Sequence, residues 1–212
     1  TTTLYALLNE LKDRGRKIIS IEDPVEYAVD GVMQIPVTEA IGFTFSAALK
    51  RILRHDPNVI LIGEIRDRDT ASIAANAALT GHLVLGTMHT NSAATALTRL
   101  REFGVNSFLI SEVARLFTAQ RLVRTLCRHC GGTKTGCECI TGFRGRTVLA
   151  EFLAADEAVR RIIQDANAGE AELDRHMKEK KIPRLIDRGN ALVKNGVTTG
   201  EEIRRVVGSD GL

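Results

Sequence analysis

The sequence predicts an α/β protein built on an open, doubly wound parallel sheet. Three short apolar runs end abruptly on residues capable of chemistry: KIISIED at 17–23, NVILIGE at 58–64 and HLVLGTMHT at 82–90. Runs of this purity are what parallel strands require when both faces of the sheet are covered. Between them the apolar residues recur at helical spacing, so strand and helix alternate. In such a sheet the carboxyl ends of the strands face one crevice, where ligands bind. The acids and histidine at those ends are therefore the first candidates for function.

Residues 3–12 carry Leu4, Leu7, Leu8 and Leu11 on one helical face, and Arg14-Gly15-Arg16 releases that helix into the first strand, 17–21. Residues 27–37 alternate at Val32-Met33-Gln34-Ile35, which predicts short antiparallel strands around a turn at Asp30-Gly31. Thr44 is placed to cap a helix whose stripe is Phe45, Ala48, Leu49, Ile52 and Leu53, ending before Pro57. After strand 59–62, Asp69 or Thr70 begins an alanine-rich helix through Leu79, and strand 83–86 follows. Ser92 caps the next helix, which ends at Gly104. Asn106 or Ser107 opens another, and Leu109, Val113, Leu116 and Phe117 carry it toward Leu126. From Cys127 to Arg146 glycine, threonine and cysteine replace any helical period. Beyond it the chain reads as mostly helical, with caps at Asp156 and at Thr199-Gly200-Glu201-Glu202.

Composition excludes several classes. A chain of 212 residues buries about 70% of its unfolded surface and needs no disulfides. A balance of 29 basic against 26 acidic residues is too even to imply nucleic acid, and no run approaches the roughly 20 apolar residues of a membrane span. The N-terminus has no signal-peptide pattern, so a cytoplasmic protein is expected.

Glu64, set on a glycine at a strand end, is suited to hold the water shell of a magnesium ion beside phosphates, or to pair with Arg66 or Arg68 at the surface. Glu22, Asp23 and Glu26 cluster at a second strand end, where one can polarise a nucleophilic water or merely form an acidic turn. His82 and His89 bracket the third strand on opposite faces. His89, beyond the apolar part, is the better candidate to sense a phosphate or water; either histidine can equally be a hydrogen-bonded loop residue.

Four motifs in order resemble the ATPases of bacterial type II secretion systems and type IV pilus assembly: Thr1-Thr2-Thr3-Leu4-Tyr5, Glu22-Asp23-Pro24-Val25-Glu26, Gly63-Glu64-Ile65-Arg66-Asp67, and Thr80-Gly81-His82 through His89-Thr90-Asn91. The resemblance covers nearly the whole chain. It implies a RecA-like P-loop NTPase core over 1–126, whose phosphate loop would end just before Thr1, a zinc knuckle over 127–146 and a helical subdomain over 147–212. It implies ATP and Mg2+ as cofactors, with Glu26 as catalytic glutamate, Glu64 in the magnesium-side role, and His89 in the histidine box. Thr1 would supply a magnesium-ligating hydroxyl, and Glu22, Asp23, Arg66 and His82 would line the nucleotide side. It further implies a homohexamer on the cytoplasmic side of the inner membrane, driving platform and adaptor proteins. With its loop missing, the chain alone is expected to bind ATP poorly and to turn over almost none.

All four cysteines lie between Cys127 and Cys139, as Cys127-Arg128-His129-Cys130 and Cys137-Glu138-Cys139. Such clustering suits tetrahedral Zn2+, which contributes roughly 10 to 16 kcal/mol to folding in small peptide modules. The second half is tighter than the family's usual C-x-x-C, and His129 is a possible substitute ligand. Reduced thiols without metal, or an iron–sulfur site, are the alternatives. At the level of the whole protein the alternatives to a secretion motor are a hexameric nucleic-acid translocase, which the absence of a basic, aromatic-studded face disfavours, and a non-catalytic zinc-bearing scaffold.

Overall fold

The computed structural model describes residues 2–12, 15–139 and 141–208. Thr1 and part of the expected turn at Arg14-Gly15-Arg16 lie outside them. The chain divides into two compact units, one comprising residues 1–89, 97–114 and 163–166, the other 90–96, 115–162 and 167–212.

The first unit is built on a parallel sheet with strand order β2-β1-β3-β4, formed among the described residues by β1 (Ile18–Glu22), β2 (Val32–Pro36), β3 (Val59–Ile62) and β4 (Leu83–Gly86). β1 and β3 are central and buried at every residue, which explains their unbroken apolar sequence. Leu8 of α1 (Thr2–Lys12) packs with Ile18, Val59 and Leu61 on one face. Ile19, Ile21, Ile60 and Ile62 alternate to the other and are equally buried. There α2 (Phe45–Ile52) packs on β1 and α3 (Arg68–Leu79) on β4. Thr44 caps α2 by accepting the Ala47 N–H. α3 starts earlier than expected: its cap is Asp67, whose carboxylate accepts from Thr70 N and Thr70 Oγ1, both at 2.8 Å. The region 27–37 also differs. The turn at Asp30-Gly31 exists, but Val32–Pro36 pairs parallel to β1, register Ile18 with Val32, instead of folding back as a hairpin. Alternation reveals a strand with one wetter face; it does not reveal the partner. α4 (Thr95–Glu102), which begins in the second unit and ends in the first, and α5 (Ser107–Val113) follow the sheet.

In the second unit β5 (Leu116–Leu126) and β6 (Phe143–Ala154) form a long antiparallel ribbon. The expected helix through Leu126 therefore stops at Val113, and 143–154 is strand. Helical spacing at 109, 113, 116 and 117 gives way to period-two burial at Phe117, Ala119 and Val123. Ala119, Val123 and Leu149 pack against Leu185 and Ile186 of α8 (Leu185–Lys194) and Ile203 of α9 (Gly200–Val207). α6 (Glu157–Gln164), whose last two residues belong to the first unit, and α7 (Glu170–Glu179) follow β6. No helix among the described residues is long and apolar enough to cross a membrane.

Candidate functional site

Glu64 follows β3 because Gly63 lets the backbone press against the end of β1. Gly63 N–H donates to Ile21 O at 2.8 Å, and a Cβ at position 63 would meet that same oxygen at 3.1 Å. On the other side Ile65 N–H donates to Thr87 O (2.8 Å) and Thr87 Oγ1 to Gly63 O (2.5 Å), so β3 and β4 stay joined past their regular ends. This stitching brings His89 onto Glu64: His89 Nε2 stands 2.6 Å from Glu64 Oε1. Arg66 Nε donates to the other oxygen, Oε2, at 2.5 Å. The Arg66 guanidinium, whose proton affinity is raised chiefly by Glu64, also lies 3.6 Å from Asp23 and 4.0 Å from Glu39. The Glu64 side chain is 15% exposed and His89 88%, so a part-buried acid is approached by an exposed imidazole at the edge of the crevice.

Asp23, Glu64, Arg66 and His89 thus meet at the carboxyl ends of β1, β3 and β4. Three other sequence candidates are placed differently. Glu22 points inward: it is buried, accepting from the Tyr5 phenol, from Ser20 Oγ at 2.5 Å and from Gln34 Nε2 at 3.1 Å. Glu26 is exposed on the loop after β1. Its backbone N–H donates to Tyr5 Oη, and its carboxylate has no hydrogen-bond or ion-pair partner among the described residues. His82 precedes β4 and so sits at the other end of that strand from His89, with Nδ1 on Ala77 O at 2.9 Å. Thr1 lies outside the described residues. Tyr5 and Gln34, which organise this end of the sheet, carry no functional signal in the sequence beyond a place in the opening motif and in an alternating run; Tyr5 has its phenol pKa raised by burial and by the adjacent Glu22, so it remains a donor.

The four cysteines occupy the loop that joins β5 to β6, where Leu126 and Phe143 are the last pair. Their sulfurs all lie within 4.8 Å of one another, with Cys127 to Cys137 at 3.6 Å and Cys130 to Cys139 at 3.4 Å. A tetrahedral ion with ~2.3 Å metal–sulfur bonds needs sulfurs ~3.8 Å apart, and both of these close pairs join a sulfur of the C-x-x-C half to one of the C-x-C half. The backbone N–H groups of Cys130 and His129 pull the Cys127 thiol down to about 6, and burial together with the Cys130 thiol pushes Cys139 up to about 12. Four sulfurs brought this close are a set that a cation would stabilise as thiolates. His129 is not part of the group; it is exposed and lines a neighbouring cavity of about 670 Å3 with Cys137, Cys139 and Arg144.

Fold and strand-end cluster together define a doubly wound α/β protein with its candidate chemistry at the carboxyl ends of parallel strands. The chain belongs to the family described as Type II/IV secretion system protein, which matches residues 1–205. Type II secretion system protein E of Aeromonas hydrophila is 41% identical over 235 residues, covering 99% of this chain and 46% of that protein. The chain spans about half the length of the curated relatives it matches. Among solved structures, the Legionella pneumophila ATPase DotB superposes with a TM-score of 0.77 at 25% identity, over 96% of this chain and 55% of DotB. The pilus retraction motor PilT with bound ADP superposes at 0.76 and 28% identity, over 96% of this chain and 56% of PilT.

Proposed function

We propose that this chain supplies the hydrolytic part of an ATP-driven motor serving a type II secretion or type IV pilus assembly machine. The carrying observation is the Glu64 carboxylate, held between Arg66 and His89 at the end of a central parallel strand. That is where an α/β fold receives a nucleotide, and the solved relatives include an ATPase and an ADP-bound motor. In this reading magnesium supplies charge neutralisation for the phosphates. Glu64 orients the ion's water shell and Glu26, with its free carboxylate, polarises the attacking water. Arg66 and His89 would face the phosphates, with Asp23 holding the Arg66 guanidinium. Thr1 would add a hydroxyl to the magnesium shell. The four thiolates of the knuckle within 127–146 hold a structural Zn2+. The working assembly is a homohexamer at the cytoplasmic face of the inner membrane, acting on membrane-embedded platform and adaptor proteins.

Steady-state ATP hydrolysis by the full-length protein tests the reading. Glu26→Gln, which keeps size and removes the base, should lower kcat by about 100-fold or more. Wild-type turnover in that variant would refute the assignment.

A further inference from the structure

The loop between β1 and β2 is tied down through its backbone while its acids are left outside. Tyr5, buried on α1, donates to Glu22 Oε2 and accepts from Glu26 N–H at 3.2 Å and from Gln34 Nε2 at 3.3 Å. A phenol has one donor and two acceptor positions, and each has a partner here, Gln34 Nε2 sharing its two hydrogens among Tyr5, Glu22 and Tyr27. Gln34, on β2, reaches the same loop: Oε1 accepts the Val29 N–H at 2.7 Å and Nε2 donates to Tyr27 O at 3.2 Å. The rings of Tyr5 and Tyr27 lie 4.5 Å apart. The loop is therefore held at 26, 27 and 29, and the Glu26 carboxylate projects from the first of these anchors.

We infer that Tyr5 and Gln34 are positioning residues for Glu26, fixing the backbone from which its carboxylate reaches the attacking water. This rests on the reading of Glu26 as the polarising base. A carboxylate on an untethered loop loses orientation without losing its basicity, and displacements near 1 Å at a reacting centre cost on the order of 100-fold in rate. The network also joins α1, the buried acid of β1 and the edge strand β2 to one loop. A residue kept only for packing would not need a hydroxyl saturated by three of these elements.

The test uses the full-length protein and compares Tyr5→Phe, Gln34→Ala, Glu26→Gln and the double variants with Glu26→Gln. Tyr5→Phe keeps the ring contact with Tyr27 and deletes only the hydroxyl. The expected result for Tyr5→Phe and Gln34→Ala is a kcat reduced about 10- to 100-fold with KM for ATP within about twofold of wild type. Neither should add to the loss caused by Glu26→Gln, because residues that act through one group are not additive. Unchanged kcat in both, or losses that multiply with Glu26→Gln, would overturn the positioning role while leaving Glu26 as base intact. A fully active Glu26→Gln would overturn the reading of the site and the inference with it. Should Tyr5→Phe fail to fold, the Gln34→Ala cycle decides by the same criteria.

Discussion

Glu64 Oε1 is 2.6 Å from His89 Nε2 while its other oxygen is taken by Arg66, so both ends of the carboxylate are engaged. Each of these oxygens keeps a second lone pair, so Glu64 can hold a water of a magnesium ion's shell beside these partners. His89 is the freer of the two, its side chain 88% exposed against 47% for Arg66. Replacing Glu64 with Gln should therefore lower kcat by about 100-fold or more. His89→Ala, which leaves Arg66 on the carboxylate, should cost only on the order of tenfold. Single-turnover hydrolysis with both variants of the full-length protein measures the difference, and equal losses would contradict the proposed division of labour.

The cysteine loop should hold close to one zinc per chain, measured by elemental analysis of the purified protein. Cys137→Ser and Cys139→Ser each remove one of four converging sulfurs and should release most of the metal, with a fall in stability of several kcal/mol. Full occupancy retained in both variants would exclude the four-thiolate site. Chelation should loosen the loop first, since the four sulfurs converge within it.

How much of this was legible in the sequence depended on whether the signal was local. β1 and β3 were readable because burial on both faces demands unbroken apolar runs, β4 because it keeps a short apolar run although it is only partly buried, and Glu64 and His89 were readable because they follow those runs. The ribbon was not. The partner of β5 lies beyond the whole cysteine loop, and Gln120-Arg121 interrupts its apolar alternation. Tyr5 and Gln34 were hidden for a related reason: each looks like an ordinary helix or strand residue until hydrogen bonds 12 to 29 residues long in sequence are drawn. Glu202 was half legible. Thr199 does cap α9 by accepting the Glu202 N–H at 3.2 Å, but the Glu202 carboxylate serves Arg124 instead of closing a capping box.

That carboxylate predicts an acid-sensitive second unit. Glu202 is buried, accepting from the Arg124 backbone N–H at 2.9 Å, from the Arg124 guanidinium at 2.7 Å and from Arg205 at 2.6 Å. Arg205 first, and then Arg124, hold its pKa far below the ordinary value of 4.5, outweighing burial. A depressed folded-state pKa gives stability that is present above pH 4.5 and lost as pH falls below it. Glu202→Gln should cost about 2 kcal/mol at neutral pH and flatten the decline below pH 4.5, as followed by denaturant unfolding across pH. An unchanged acid limb in that variant would assign the sensitivity to other carboxylates.

The close approach of Gly142 to Gly132 in the cysteine loop makes the last prediction. Gly142 has φ 84°, and a Cβ there would fall 2.2 Å from Gly132 O and 2.8 Å from Gly132 C. Its own carbonyl accepts the Cys127 N–H at 2.8 Å, so the position that cannot carry a side chain also fastens the first cysteine. Ala at 142 must bear the left-handed conformation, about 1–2 kcal/mol, and push away the backbone two residues beyond Cys130, roughly another 1–3 kcal/mol. Gly136 supplies the control: its φ is 64°, yet a Cβ there meets nothing within 4 Å. Gly142→Ala should therefore lose both zinc and stability, whereas Gly136→Ala should keep its zinc and lose only about 1 kcal/mol. Equal behaviour of the two variants would mean that the close approach of 132 and 142 does not shape the metal site.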